Sequence, residues 1–148
     1  MELTSRRAAD ALTGLRALCG LILPFHPSLA ILVLGVVTDW LDGPLARRAG
    51  STAAGARFDL EADSLLTLGA AIAAVRRGAP RVALLAPIGR YALTPARAPD
   101  AVRLDRITGV AQMLVLGGAL ARFPVAALWI PVTAARCAAL LARLDRSR

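Results

Sequence analysis

The stretch Asp39–Asp63, DWLDGPLARRAGSTAAGARFDLEAD, sets four aspartates and three arginines between two oily segments. Upstream, Ala17–Thr38 holds no Asp, Glu, Lys or Arg; downstream, Ser64–Val75 is mostly apolar. Asp39 and Asp42 are three residues apart, so on a helix they share a face. Asp59 and Asp63 are four apart and do the same. Gly55 stands one turn before Asp59 on that stripe, and Ala46 near one turn beyond Asp42. Carboxylates on two neighbouring helices can therefore converge on one point. Uncompensated, they would repel one another or take up protons. Hard divalent cations resolve this, because Mg2+ prefers oxygen ligands and commonly works with substrate phosphates. Two such ions ~4 Å apart can clamp the attacking and leaving oxygens of a phosphoryl-type displacement.

The small residues beside the carboxylates meet a second need. Gly43, Ala46 and Gly55 remove side-chain bulk, so a flat ligand can approach the backbone. Tight helix packing is the other reading of the same residues. Arg47 offers a planar fork suited to phosphate.

With 148 residues, one domain over residues 1–148 is the expectation. Hydrophobic residues make up 57% of the chain, more than so short a soluble domain could bury. The composition points to a membrane protein. The net charge of +8 comes from arginines clustered between apolar runs, with few aromatics to stack on bases. Basic loops at a membrane explain this better than a nucleic-acid partner does. Cys19 and Cys137 lie in separate apolar runs without a nearby His, and read as small buried hydrophobes. His26, between Pro24 and Pro27, reads as a turn residue. The N-terminal segment lacks a cleavage site of the small-x-small type and is taken as mature chain.

The first apolar run is split by PFHPS, Pro24–Ser28, because two prolines three apart break a helix. Six helical segments follow, at about 5–23, 28–48, 56–76, 80–95, 103–121 and 124–144. Each needs about 20 residues to cross ~30 Å, and several reach that length only by including charges at one end. Such charges face a protein-lined or watery cavity. The expected fold is an all-α integral membrane protein, a six-transmembrane-helix bundle with a polar cavity open to the cytoplasmic side. Most arginines outside the apolar runs (Arg6, Arg7, Arg16, Arg47, Arg48, Arg97, Arg103, Arg106, Arg143, Arg146 and Arg148) fall on one face. Arg76, Arg77, Arg81 and Arg122 fall on the other, so both termini and the aspartates are expected on the cytoplasmic face of a cell membrane, a bacterial plasma membrane by expectation.

The pattern D-x2-D-G-x2-A-R, a spacer, then G-x3-D-x3-D resembles the signature of the CDP-alcohol phosphatidyltransferases. Asp39, Asp42, Gly43, Ala46, Arg47, Gly55, Asp59 and Asp63 fill all its fixed positions. The spacer Arg48–Ala54 is one residue shorter than is usual in the family, and Pro44 after Gly43 is expected to kink the second helix. DALTGLR, Asp10–Arg16, looks like the Thr-x-x-Arg element of the family's first helix. GRYAL, Gly89–Leu93, and RLDRITGVAQ, Arg103–Gln112, are similar to its fourth and fifth. The resemblance implies transfer of a phosphatidyl group from a CDP-linked lipid, such as CDP-diacylglycerol, to an alcohol with release of CMP. It implies that Asp39, Asp42, Asp59 and Asp63 hold two Mg2+ or Mn2+ ions, with Asp63 also the base for the acceptor hydroxyl. Asp42, Gly43, Ala46, Arg47 and Gly55 would line the cytidine diphosphate site. Arg90, Arg103 and Arg106 are the candidates for a phosphorylated acceptor, with rim contacts to lipid headgroups as the other reading. A homodimer is implied too, and Gly69–Ala74 offers small residues for it. Arg57 is a further candidate for a phosphate, and Tyr91 and Trp129 read as interfacial anchors. Arg136, within an apolar run, is expected to face the interior.

Two alternatives use the same aspartates. A UbiA-type membrane prenyltransferase also binds Mg2+ on a diphosphate, but its motifs are spaced differently. A divalent-cation transporter would suit carboxylates in a membrane cavity, yet has no need for Gly43, Ala46 and Arg47 beside them.

Overall fold

A computed structural model describes the backbone of residues 2–49, 53–92 and 101–145, with side chains for 7–41, 54–55, 57–89, 107–125, 127–139 and 141. The described residues are helical, without a strand. They comprise α1 (Glu2–Ile22), α2 (Leu29–Ala49), α3 (Ala53–Arg76), α4 (Leu85–Ala92), α5 (Ala101–Leu120) and α6 (Trp129–Asp145). Short 3-10 turns, Arg81–Leu84 and Ala126–Leu128, lead into α4 and α6. Residues 1–70 and 71–148 form two compact units, with the boundary inside α3.

The breaks lie where the prolines and glycines require. After α1 the chain turns, with Phe25 and His26 N–H groups both donating to the Ile22 carbonyl, before α2 resumes beyond Pro27. Pro44 does not end α2, which is helical to Ala49. The two 3-10 turns share one cause. Pro87 and Pro131 each stand third in their α-helix. Neither can donate to the carbonyl four residues back, Ala83 or Ala127, and its ring crowds that carbonyl in a continuous α-helix. The turn holding that residue winds tighter in both cases.

Two helix ends close with the same hydrogen-bond pair. Beyond α3, Gly78 N–H donates to Val75 O and Ala79 N–H to Ala74 O, each at 3.0 Å. This double closure needs a left-handed residue, and Gly78 has φ +98°. Beyond α5, Arg122 N–H donates to Ala119 O and Phe123 N–H to Gly118 O. Here the left-handed residue is Arg122, φ +62°, which bears the steric cost of a Cβ in that region. Arg77 adds a guanidinium bond to the Leu120 carbonyl at 2.5 Å, a cation on the C-terminal end of α5.

Within residues 1–70, α1 packs on α2 and on α3. A Cβ on Gly20 would lie 2.6 Å from the Leu65 carbonyl and the Leu66 nitrogen, and a Cβ on Gly69 would run into the Gly20 carbonyl oxygen. The α1 and α3 backbones thus touch directly, which glycine alone permits. Gly35 of α2 makes room for the buried Leu66 side chain. Contacts 16–59 and 20–65 rise together, so α1 runs parallel to α3; 39 and 35 meet the 59 and 66 levels in reverse, so α2 runs antiparallel. Within residues 71–148, α6 packs against α4 and α5.

Several expectations change on this frame. The fourth segment is not a full-length helix over its described residues: α4 has 8 residues, about 12 Å at 1.5 Å per residue. Ala70, Ala71, Ala73 and Ala74 are fully buried within the chain, so the small-residue stripe does not supply an open dimer surface. Trp129 is buried, and an interfacial anchor must be sought elsewhere; Trp40 is 85% exposed. Among the described residues, no helix is long and apolar enough to cross a membrane.

Candidate functional site

The site is built around a charge on the wall of α1. Arg16 is 0% exposed. A buried guanidinium is costly unless ionised partners meet it. Its Nη1 pairs with Asp39 Oδ1 of α2 at 3.0 Å and donates to Asp59 Oδ1 of α3 at 2.6 Å. One nitrogen therefore ties the first aspartate of one pair to the first of the other. The two oxygens lie within about 5.6 Å, the sum of those distances. Both carboxylates remain about half exposed, 54% and 50%. Their arginine lies beneath them and their other side is open.

Local folding explains how Arg16 arrives there. Helical side chains tilt toward the N-terminus of their helix. Arg16 stands one turn before Gly20, where α1 touches the α3 backbone, so its side chain reaches back along α3 toward Asp59. The polar residues nearby close on their own helices. Thr38 Oγ1 donates to Gly35 O, Ser64 Oγ to Leu60 O, and Thr67 Oγ1 to Asp63 O, at 2.7 to 2.8 Å. These hydroxyls are satisfied locally and do not draw on the carboxylates.

The family model for CDP-alcohol phosphatidyltransferase matches residues 7–141. That span contains Arg16 and both aspartate pairs in their signature spacing. The chain belongs to the CDP-alcohol phosphatidyltransferase family. It is a transferase of this kind, taking a CDP-alcohol substrate and an alcohol acceptor. Comparison with curated proteins and comparison with solved structures each returned no match.

Asp63 of the transferase lies one turn beyond Asp59 on α3 and is half-buried. Gly55 lies one turn before Asp59, also half-buried. Asp42, Gly43, Ala46 and Arg47 fall on α2, Arg90 on α4, and Arg103 and Arg106 on α5, but their side chains lie outside the described residues. Tyr91 does too. Arg57 makes an exposed i,i+4 pair with Glu61 at 3.7 Å, a solvated contact of little energetic weight. Among the described residues, no group of three or more His, Cys, Asp or Glu side chains could hold a metal ion. Two of the four signature carboxylates do come together as hard oxygen donors, the chemistry Mg2+ or Mn2+ takes.

In the sequence Arg16 counts as one of the basic residues of the cytoplasmic face and as the arginine of the helix-one element, with no link to the aspartates. The available signal was a single charge on the helix face that carries Ala9, Thr13, Cys19 and Leu23, for which a partner had to exist. Arg136 follows the same rule in the second unit. It is buried, as expected, and its Nη1 donates to Thr108 Oγ1 at 3.1 Å. Its guanidinium packs beside Gly109, where a Cβ would meet Nη1 in ordinary contact at 3.5 Å.

Proposed function

We propose that this transferase moves a phosphatidyl group from a CDP-linked lipid, such as CDP-diacylglycerol, to a small alcohol and releases CMP. The observation that carries the reading is the Arg16 bridge, which gathers Asp39 and Asp59 from the two halves of the signature. Asp39, Asp42, Asp59 and Asp63 would hold two Mg2+ or Mn2+ ions. When bound, such ions offset charge on the diphosphate and on the departing CMP. Asp42, Gly43, Ala46, Arg47 and Gly55 receive the cytidine diphosphate, Arg47 as a phosphate fork. The acceptor oxygen forms a new bond to the lipid-side phosphorus while the bond to the CMP oxygen breaks, and CMP leaves with that electron pair. The acceptor proton passes to the Asp63 carboxylate. Arg90, Arg103 and Arg106 orient a phosphorylated acceptor. A cation conduit is disfavoured, because it has no need of Gly43, Ala46 and Arg47 beside the aspartates, and the family match is to a transferase.

The reaction is placed at a membrane, with the site on its cytoplasmic face. Supporting this, α1, α2, α3 and α5 have 21, 21, 24 and 20 residues. At 1.5 Å per residue these are about 30 to 36 Å long, the thickness of a hydrocarbon core. Apolar residues stand outward on three of them: Leu18 and Leu21 on α1, Val33 and Val37 on α2, and Leu114 on α5 are each 45% or more exposed. Apolar exposure on that scale seeks lipid or a partner.

The test incubates purified chain with Mg2+, labelled CDP-diacylglycerol and a panel of alcohols, following CMP and chromatographed lipid product. Acceptor-dependent CMP release that stops in EDTA supports the reading. Undiminished turnover in strict chelator refutes the metal assignment, and absence of CMP release with every acceptor refutes the substrate class.

A further inference from the structure

Arg16 is unusual for a residue at a cation site, because it is itself a cation. It is wholly buried, whereas both aspartates it touches are half open. It can touch neither lipid donor nor acceptor; whatever it does, it does through Asp39 and Asp59.

We infer that Arg16 is a resident cation of the aspartate site, one that assembles Asp39 and Asp59 before any divalent ion arrives and weakens their hold on that ion. The inference rests on the two-ion reading above. Charge explains it. On that reading Asp42 and Asp63 join the Asp39–Arg16–Asp59 bridge, and four carboxylates with one guanidinium make the site net negative. A first divalent ion leaves it still negative, and a second tips it positive. The negative diphosphate of a CDP-linked substrate restores the balance. The second ion is therefore held weakly until nucleotide comes with it, and Arg16 sets that order. Without Arg16 the two carboxylates, within about 5.6 Å of each other, lose the cation between them, and the site takes both ions without nucleotide. A like charge a few ångströms from a doubly charged ion changes affinity by tenfold or more.

The test counts bound Mn2+ by electron paramagnetic resonance on full-length chain in detergent, with and without CDP. Wild type is expected to bind one Mn2+ alone and a second with CDP. Arg16→Gln is expected to bind the second Mn2+ at least tenfold more tightly without CDP and to lose most of the CDP dependence. Arg16→Lys, which keeps the charge, is expected to stay within threefold of wild type. Melting temperatures supply a second readout: Arg16→Gln is expected to be unstable in EDTA and to regain most of that loss with Mn2+. A merely structural arginine would cost the same stability with and without Mn2+, and that result overturns the inference. Weaker or unchanged Mn2+ binding in Arg16→Gln overturns it too. So does an Arg16→Gln chain that fails to fold even in saturating Mn2+, since packing rather than charge would then be what the site requires. Wild type that binds no Mn2+ even with CDP removes the metal reading itself, a distinct failure.

Discussion

Replacing Gly20 with alanine tests how closely α1 must lie on α3 for the site to exist. The new Cβ would sit 2.6 Å from backbone atoms of Leu65 and Leu66, where ordinary contact begins near 3.4 Å. Backbone cannot rotate aside, so α1 must retreat by about 1 Å. Overpacking of this kind costs roughly 1–3 kcal/mol. The same retreat stretches the 2.6 Å bond between Arg16 and Asp59 toward 3.5 Å, the limit of a hydrogen bond. A hydrogen bond to a charged group is worth about 1.5–3 kcal/mol. Against these stands a helix-propensity gain of ~1 kcal/mol for Ala over Gly. The net loss is about 1.5–5 kcal/mol, or roughly 5–15 °C in Tm for a chain of this size. Gly14→Ala is the matched control: it lies on the same helix, and a Cβ there meets nothing within 4 Å. It should hold or raise stability by up to ~1 kcal/mol. Thermal unfolding in one detergent, with CMP release measured on the same samples, compares the two. A Gly20→Ala chain that melts within 1 °C of Gly14→Ala and retains full turnover would refute the backbone contact and its link to the site.

Asp63→Asn should nearly abolish turnover while part of the CDP-lipid binding survives, since Asp63 is the assigned base; wild-type rates in this variant remove that role. Arg106→Ala should raise the acceptor KM more than the CDP-lipid KM, and an unchanged acceptor KM returns Arg106 to the lipid rim. Arg122→Gly should stabilise the chain by about 1 kcal/mol, because Arg122 holds φ +62° at the end of α5; a lower Tm would show that the side chain has a use there that outweighs its backbone cost.

The α1–α2, α3–α4 and α5–α6 breaks were legible in the sequence where a proline or glycine gives the boundary a local cause. Pro24 and Pro27 stop α1 and start α2, and Gly78 ends α3 by taking a left-handed conformation. The 3-10 entries to α4 and α6 follow the same local logic, from a proline third in each helix. The small-residue run Gly69–Ala74 was ambiguous, since small side chains suit any close approach. The fold turns Gly69 to Gly20 and buries the alanines inside the chain.

By itself the sequence determined the aspartate spacing, and through it the family, because a helix converts intervals of three and four into one face wherever that helix stands. Which opposite charge meets those faces is a matter of three helices meeting in space. Arg16 and Asp59 are 43 residues apart, and no interval between them carries that information. Only the direct backbone contact at Gly20 and Gly69, a property of the packed chain, brings the buried guanidinium under Asp39 and Asp59.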